Sequence, residues 1–192
     1  MTTPILEKPF IVESEKLFTA DELFKMPEMD RYELAKGKLI SMSPPGFEHG
    51  LIVMYIAGAL HTYARSKKLG KVFAAETGFR LSRNPDTVRA PDAAFVSKDR
   101  LPTDKPKSYA DLAPDLVVEV VSPSDDPDEV QEKIEDYLDA GVKAVWVVYP
   151  KTQSVTVYHS LNDVHVLRIN DVLTAEHILP GFSLPVSQVF EE

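Results

Sequence analysis

Cysteine is absent from the 192 residues, which excludes a disulfide framework, a thiolate zinc site, an iron–sulfur cluster and a cysteine nucleophile. Long apolar runs are missing too. Stretches such as Ala144–Tyr149 fall far short of the ~20 residues that cross a bilayer as a helix, so no membrane span is expected. The opening MTTPILEKPFIVESEK lacks the basic start and continuous apolar core of a secretory leader, and the expected location is the cytoplasm. Repeats, low-complexity tracts and Gly/Ser linkers are lacking as well, so the elements read as one domain, 18–192, behind an arm of residues 1–17. Positive charge is scarce. Lys and Arg number 21 against 30 Asp and Glu, and the net charge of −9 taken alone disfavours sequence-independent binding of nucleic acid. The excess is local, however: Asp125–Asp139 carries −7, leaving −2 for the remainder, while Arg65–Arg89 carries +5. That basic stretch is either a binding face or a solvated helix end followed by two exposed strands.

Several elements announce themselves. Thr19-Ala-Asp-Glu22 is a capping box that opens a short helix ended by Pro27. RYELAKGKLISMS, residues 31–43, has strand-forming residues on both sides of Lys36-Gly37 and predicts a hairpin that places Glu33 on a strand. After Pro44-Pro45-Gly46, Leu51–Ala64 predicts an apolar helix with Leu51, Met54, Tyr55, Gly58 and His61/Thr62 in three- and four-residue steps, packed on a sheet. Short strands follow at Val72–Ala75, Phe79–Leu81, Ala93–Val96 and Leu116–Val121. Asp126-Pro-Asp-Glu129 caps a second helix that Gly141 closes, and Lys143–Tyr149 reads as a buried strand parallel to Leu116–Val121. Val155–His159 and Val164–Ile169 form a final hairpin, giving an α/β fold with a mixed sheet.

Three residues stand out chemically. Glu119 interrupts an apolar central strand, where an unpaired carboxylate costs several kcal/mol unless it is protonated, hydrogen-bonded or bound to a cation. An ion pair with a basic residue of a neighbouring strand would also satisfy it. Asp92, in Ala90-Pro91-Asp92, opens the strand AAFV, where an acid can cap a turn. Paired with Glu119 on an adjacent strand, it would form an oxygen-only site suited to Mg²⁺ or Mn²⁺. Lys133 lies on the edge of the stripe Val130, Ile134, Tyr137 and Leu138, at about 100° per residue, either aimed at those acids or lying along the helix flank.

In their order, YELAKGKLISMSP, His49, RAPDAAFV, APDLVVEVVSPSD and EKIEDYLDAGVKAVWVVYP resemble the Uma-two family of restriction-endonuclease-like proteins over about Leu17 to Leu184. The resemblance implies the PD-(D/E)XK nuclease fold: an αβββαβ core with a mixed sheet flanked by helices, here behind an N-terminal β-hairpin. Pro91-Asp92 matches the PD element and Glu119 the acidic position of the (D/E)XK strand. The lysine of that motif would stand at Val121 and is absent; the family places it in the next helix, at the position matching Lys133. Glu33 and His49 match further polar positions of the family's site. Asp115 imitates a PD element in Pro114-Asp115, but it lies about 13 Å from Glu119 along the strand at ~3.3 Å per residue, too far to share one ion.

What the resemblance implies is phosphodiester hydrolysis, with Asp92 and Glu119 as metal ligands for Mg²⁺, or Mn²⁺ in its place, and Lys133 orienting or deprotonating a water or offsetting charge on the phosphate. The expected partner is nucleic acid, DNA first, with Arg65–Arg89 seating its backbone, and a homodimer would cut both strands. The alternative is a catalytically inactive nuclease fold serving as an interaction or nucleic-acid-binding module.

Overall fold

In the computed structural model residues 16–28 and 31–191 are described, so nearly all of the expected arm, residues 1–15, lies outside them. The capping box forms as expected: the Thr19 hydroxyl accepts from the Glu22 N–H and the Glu22 carboxylate from the Thr19 N–H, opening α1 (Ala20–Lys25). The hairpin of β1 (Tyr32–Ala35) and β2 (Lys38–Ser41) turns at Lys36 (φ 48°) and Gly37 (φ 82°), two consecutive positive φ angles of the kind a tight hairpin turn demands. Next come α2 (Phe47–Lys67), β3 (Gly70–Ala74), β4 (Phe79–Ser82), β5 (Thr87–Arg89) and β6 (Ala93–Ser97). Beyond a long irregular segment lie β7 (Leu116–Val120), α3 (Pro127–Asp139), β8 (Ala144–Tyr149), β9 (Ser154–Ser160), β10 (Asp163–Leu167), β11 (Val172–Thr174) and β12 (Ser183–Pro185).

A six-stranded sheet ordered β10-β9-β8-β7-β6-β3 is the frame. Only β7 and β8 run parallel, joined by α3; the other pairs are antiparallel, so the sheet is mixed as expected. In chain order α2, β3, β6, β7, α3 and β8 make the αβββαβ core. β4 and β5, inserted between β3 and β6, join the hairpin in a second sheet, β2-β1-β5-β4. The three-residue strands β5, β11 and β12 escaped the sequence reading because they are too short to show a period.

Alternation decides which side chains face which layer. Leu116, Val118 and Val120 of β7 pack toward α2 and the C-terminal segment, whereas Val117 packs toward α3 with Ala94, Val145, Val147, Ile134 and Tyr137. Glu119 shares the parity of Val117 and therefore faces α3. On α2 the buried face is Ile52, Ile56, Leu60 and Ala64. The stripe through Leu51, Met54 and Tyr55 expected from the sequence is instead the outer one, with Met54 64% exposed. Both faces of this helix are apolar, so hydrophobic spacing alone could not choose between them.

Candidate functional site

The ladder between β6 and β7 pairs Ala93 with Val118, so the next step outward sets Asp92 opposite Glu119. Pro91 contributes no N–H to the ladder at this point. The Asp92 carboxylate instead accepts from the Val120 N–H at 2.7 Å through Oδ2. The same oxygen lies 3.2 Å from Nε2 of His49, in the first turn of α2. Glu119 is held from the other side of the sheet, where the Tyr137 hydroxyl of α3 donates to its Oε1 at 2.5 Å. Its second oxygen, Oε2, is 3.8 Å from the Lys133 ammonium, an ion-pair rather than a hydrogen-bond distance.

Lys133 also reaches Glu33 of β1, at 3.4 Å. Glu33 is 1% exposed; its Oε2 accepts from the Arg89 guanidinium at 2.9 Å and its Oε1 from the Ala90 N–H at 2.9 Å. Arg89, equally buried, turns its other face to Asp136 of α3 at 2.6 and 2.9 Å. The hairpin, β5 and α3 thus meet in a chain of alternating charge, Asp136–Arg89–Glu33–Lys133–Glu119.

Burial and the neighbouring charges set the ionisation. Burial pushes the Glu119 carboxyl up to about 7, with Asp92 and Glu33 adding to the shift and Lys133 and the Tyr137 hydroxyl opposing it. For Glu33 burial pushes the same way, but Lys133 and Arg89 outweigh it and hold the carboxyl below its ordinary range. Burial works against the charge on Lys133, yet Glu119 and Glu33 hold its ammonium above the usual lysine range. In His49 the hydrogen bond and charge of Asp92 likewise overcome burial and raise the imidazole.

These groups line a cleft of about 360 Å³ walled by the chain after β2, the start of α2, the ends of β5 and β7, and α3. Its donors for a cation are hard oxygens. Oδ1 of Asp92 and Oε2 of Glu119 each have no hydrogen bond among the described residues, while their sister oxygens are fixed by the scaffold. Among the described residues no three His, Asp or Glu side chains converge as a complete metal cage. A two-carboxylate site that leaves the remaining positions to water and substrate suits Mg²⁺ or Mn²⁺ better than Ca²⁺.

All five candidates, Glu33, His49, Asp92, Glu119 and Lys133, therefore gather at one cleft, though Glu33 has both oxygens engaged and only 1% exposure. Arg89, Asp136 and Tyr137 were missed as members of the network. Asp136 and Tyr137 sit three and four residues beyond Lys133, the spacing of one helix face, but Tyr137 also fits an apolar stripe and Arg89 a basic run. The basic stretch is not gathered beside the cleft. Arg80 and Arg83 are tied to Asp111, Arg89 is buried, and Arg65, Lys67 and Lys68 lie at the far end of α2 from His49. Asp115, 0% exposed, pairs with Lys143 at 2.7 Å and Arg100 at 3.0 Å, away from the cleft.

A family model, Uma2, described as "Putative restriction endonuclease", matches residues 20–187. Among solved structures the chain is similar to a protein described as a "putative nuclease belonging to DUF820" from Anabaena variabilis ATCC 29413. The TM-score is 0.79 and the identity 21%, covering 90% of this chain and 97% of that one. At that identity the likeness is one of fold. No curated protein matches the chain, and no helix among the described residues is long and apolar enough to cross a membrane.

Proposed function

Because the chain belongs to the Uma2 family, we propose that it is an endonuclease that hydrolyses phosphodiester bonds of DNA with Mg²⁺, or Mn²⁺ in its place, at the cleft holding Asp92, Glu119 and Lys133. The observation that supports this reading most is the pair of facing carboxylates, each with one oxygen fixed and one open, beside an ammonium from the next helix. When bound, the ion supplies positive charge to the phosphate and acidifies a coordinated water. Asp92 and Glu119 are the groups that hold it. Lys133 stays protonated at neutral pH between Glu119 and Glu33, so its part is to offset charge that develops on the phosphate rather than to accept a proton. His49, with Nε2 3.2 Å from Oδ2 of Asp92, helps fix the position of that carboxylate. Glu33 has both oxygens committed and places Lys133. A two-fold pair of chains would cut both strands of a duplex.

The test is cleavage of supercoiled, linear and single-stranded DNA with Mg²⁺ and Mn²⁺ by the wild type and by folded D92A, E119A and K133A proteins. Metal-dependent cleavage lost in all three variants is the expected result. A wild type that cleaves none of these substrates would instead favour a nuclease fold used as an interaction module.

A further inference from the structure

We infer that Tyr137 is the positioning residue of the cleft: its hydroxyl, donated to Oε1 of Glu119, turns Oε2 of that carboxylate toward the cation site. This deepens the proposed metal-dependent nuclease reading and rests on it. Tyr137 is 0% exposed and does not line the cleft, so it can touch neither substrate nor ion. Its ring is fully buried in the core cluster that holds Ala94, Val117, Val145 and Val147 on the α3 side of the sheet, and close packing there leaves the hydroxyl little freedom. Lys133 and Tyr137 are four residues apart and project from the same face of α3. One helix turn therefore addresses both oxygens of one carboxylate, the tyrosine closing Oε1 with a 2.5 Å bond and the lysine standing 3.8 Å from Oε2. A carboxylate on a strand end has a side chain free to rotate; with Oε1 captured, the open lone pairs of Oε2 face the cleft. Partners of this kind fix the orientation of ligating groups at metal sites, and their loss weakens metal affinity by ~10–100-fold.

The experiment is direct Mn²⁺ binding, followed by the paramagnetic resonance of free Mn²⁺, with cleavage measured in parallel. It compares the wild type with Tyr137→Phe, which keeps the ring and deletes one oxygen, and with Tyr63→Phe as control. Tyr63 loses an equally short hydroxyl bond, to the Pro180 carbonyl, outside the cleft. The inference expects the Kd for Mn²⁺ to rise about tenfold in Y137F and to stay unchanged in Y63F. It also expects saturating Mn²⁺ to restore most of the Y137F cleavage rate. In a Glu119→Asp background, where the shortened carboxylate no longer meets the phenol, Y137F should add less than about twofold. A Y137F protein that binds Mn²⁺ like the wild type, or the same loss in both backgrounds, overturns the positioning role while leaving the nuclease reading intact. A wild type that binds no Mn²⁺ overturns both.

Discussion

Two carboxylates stand four residues apart in the chain, one just before β7 and one within it, and meet opposite fates. Asp115, just before β7, is fully buried, yet its carboxyl is held below the ordinary range. Burial alone would raise it, but Lys143, the Ser97 N–H and Arg100 outweigh that effect. Glu119, near the other end, is pushed up to about 7 although it retains slight exposure. Compensation differs along the strand. Arg100 and Lys143 both pair with Asp115, and Lys67, Lys68, Lys71 and Lys98 lie toward that end; Glu119 shares the Lys133 ammonium with Glu33, while Asp92 and Glu33 add negative charge beside it. Burial is common to both acids, so it does not set apart the proposed metal ligand; deficient compensation does.

The sharpest division should appear in activity. Glu119→Gln is expected to slow metal-dependent cleavage about 1000-fold, equivalent to ~4 kcal/mol of lost transition-state stabilisation. Asp115→Asn should leave the rate per folded molecule within about twofold of the wild type. Equal losses in the two variants would erase the distinction. Stability should divide the other way. Asp115→Asn leaves the Ser97 N–H with a poorer acceptor and two cations without their anion, and should cost about 2 kcal/mol in urea unfolding. The ion pairs themselves add little to that figure, because Arg100 and Lys143 are substantially solvated. Glu119→Gln should be no less stable than the wild type at pH 8 without metal, since it removes a charge the fold accommodates poorly.

The unequal environments also set opposite pH dependences. The folded-state pKa of Glu119 lies above its ordinary 4.5, so its contribution to stability is greatest below 4.5 and is lost as pH rises toward about 7. The metal-free melting temperature of E119Q relative to the wild type should therefore climb across that window. Asp115 is shifted downward from 3.8, so its contribution is present above that value and disappears as pH falls through the lower folded pKa. The deficit of D115N should shrink in acid. Melting curves whose differences run parallel in the two variants would contradict these assignments.

Sequence reading located Glu119 because an acid inside LVVEV interrupts the continuous apolar run of a strand buried on both faces, and Asp92 because Pro91 marks a strand entry. Helical spacing alone offered Lys133 two readings; the resemblance selected one, and the fold brings its ammonium beside both Glu119 and Glu33. Arg89 and Tyr137 were harder to see because their partners are remote in sequence. Arg89 meets Glu33, 56 residues away, and Asp136, 47 residues away. Neither bond leaves a local pattern, and an arginine within a basic run looks solvated until the fold closes over it. The outer face of α2 was misread for a different reason: a helix apolar on two sides has no single period to follow.

The smallest effect concerns the lysines at the Asp115 end. Lys67 lies eighteen residues beyond His49 on α2, about 27 Å along the axis at ~1.5 Å per residue, and Lys68 and Lys71 lie beyond it. A phosphate held at the cleft is out of their reach, and only a substrate crossing the whole sheet would meet both ends. Replacing Lys67, Lys68 and Lys71 by Gln should therefore change the KM for DNA by no more than about twofold. It should also change the slope of log affinity against log salt by less than about one, since each phosphate that a protein neutralises on a duplex contributes ~0.9 to that slope. A tenfold weakening with a slope change near three would show that substrate spans the molecule from end to end. The cationic end would then be a binding surface in its own right, beyond neutralising Asp115.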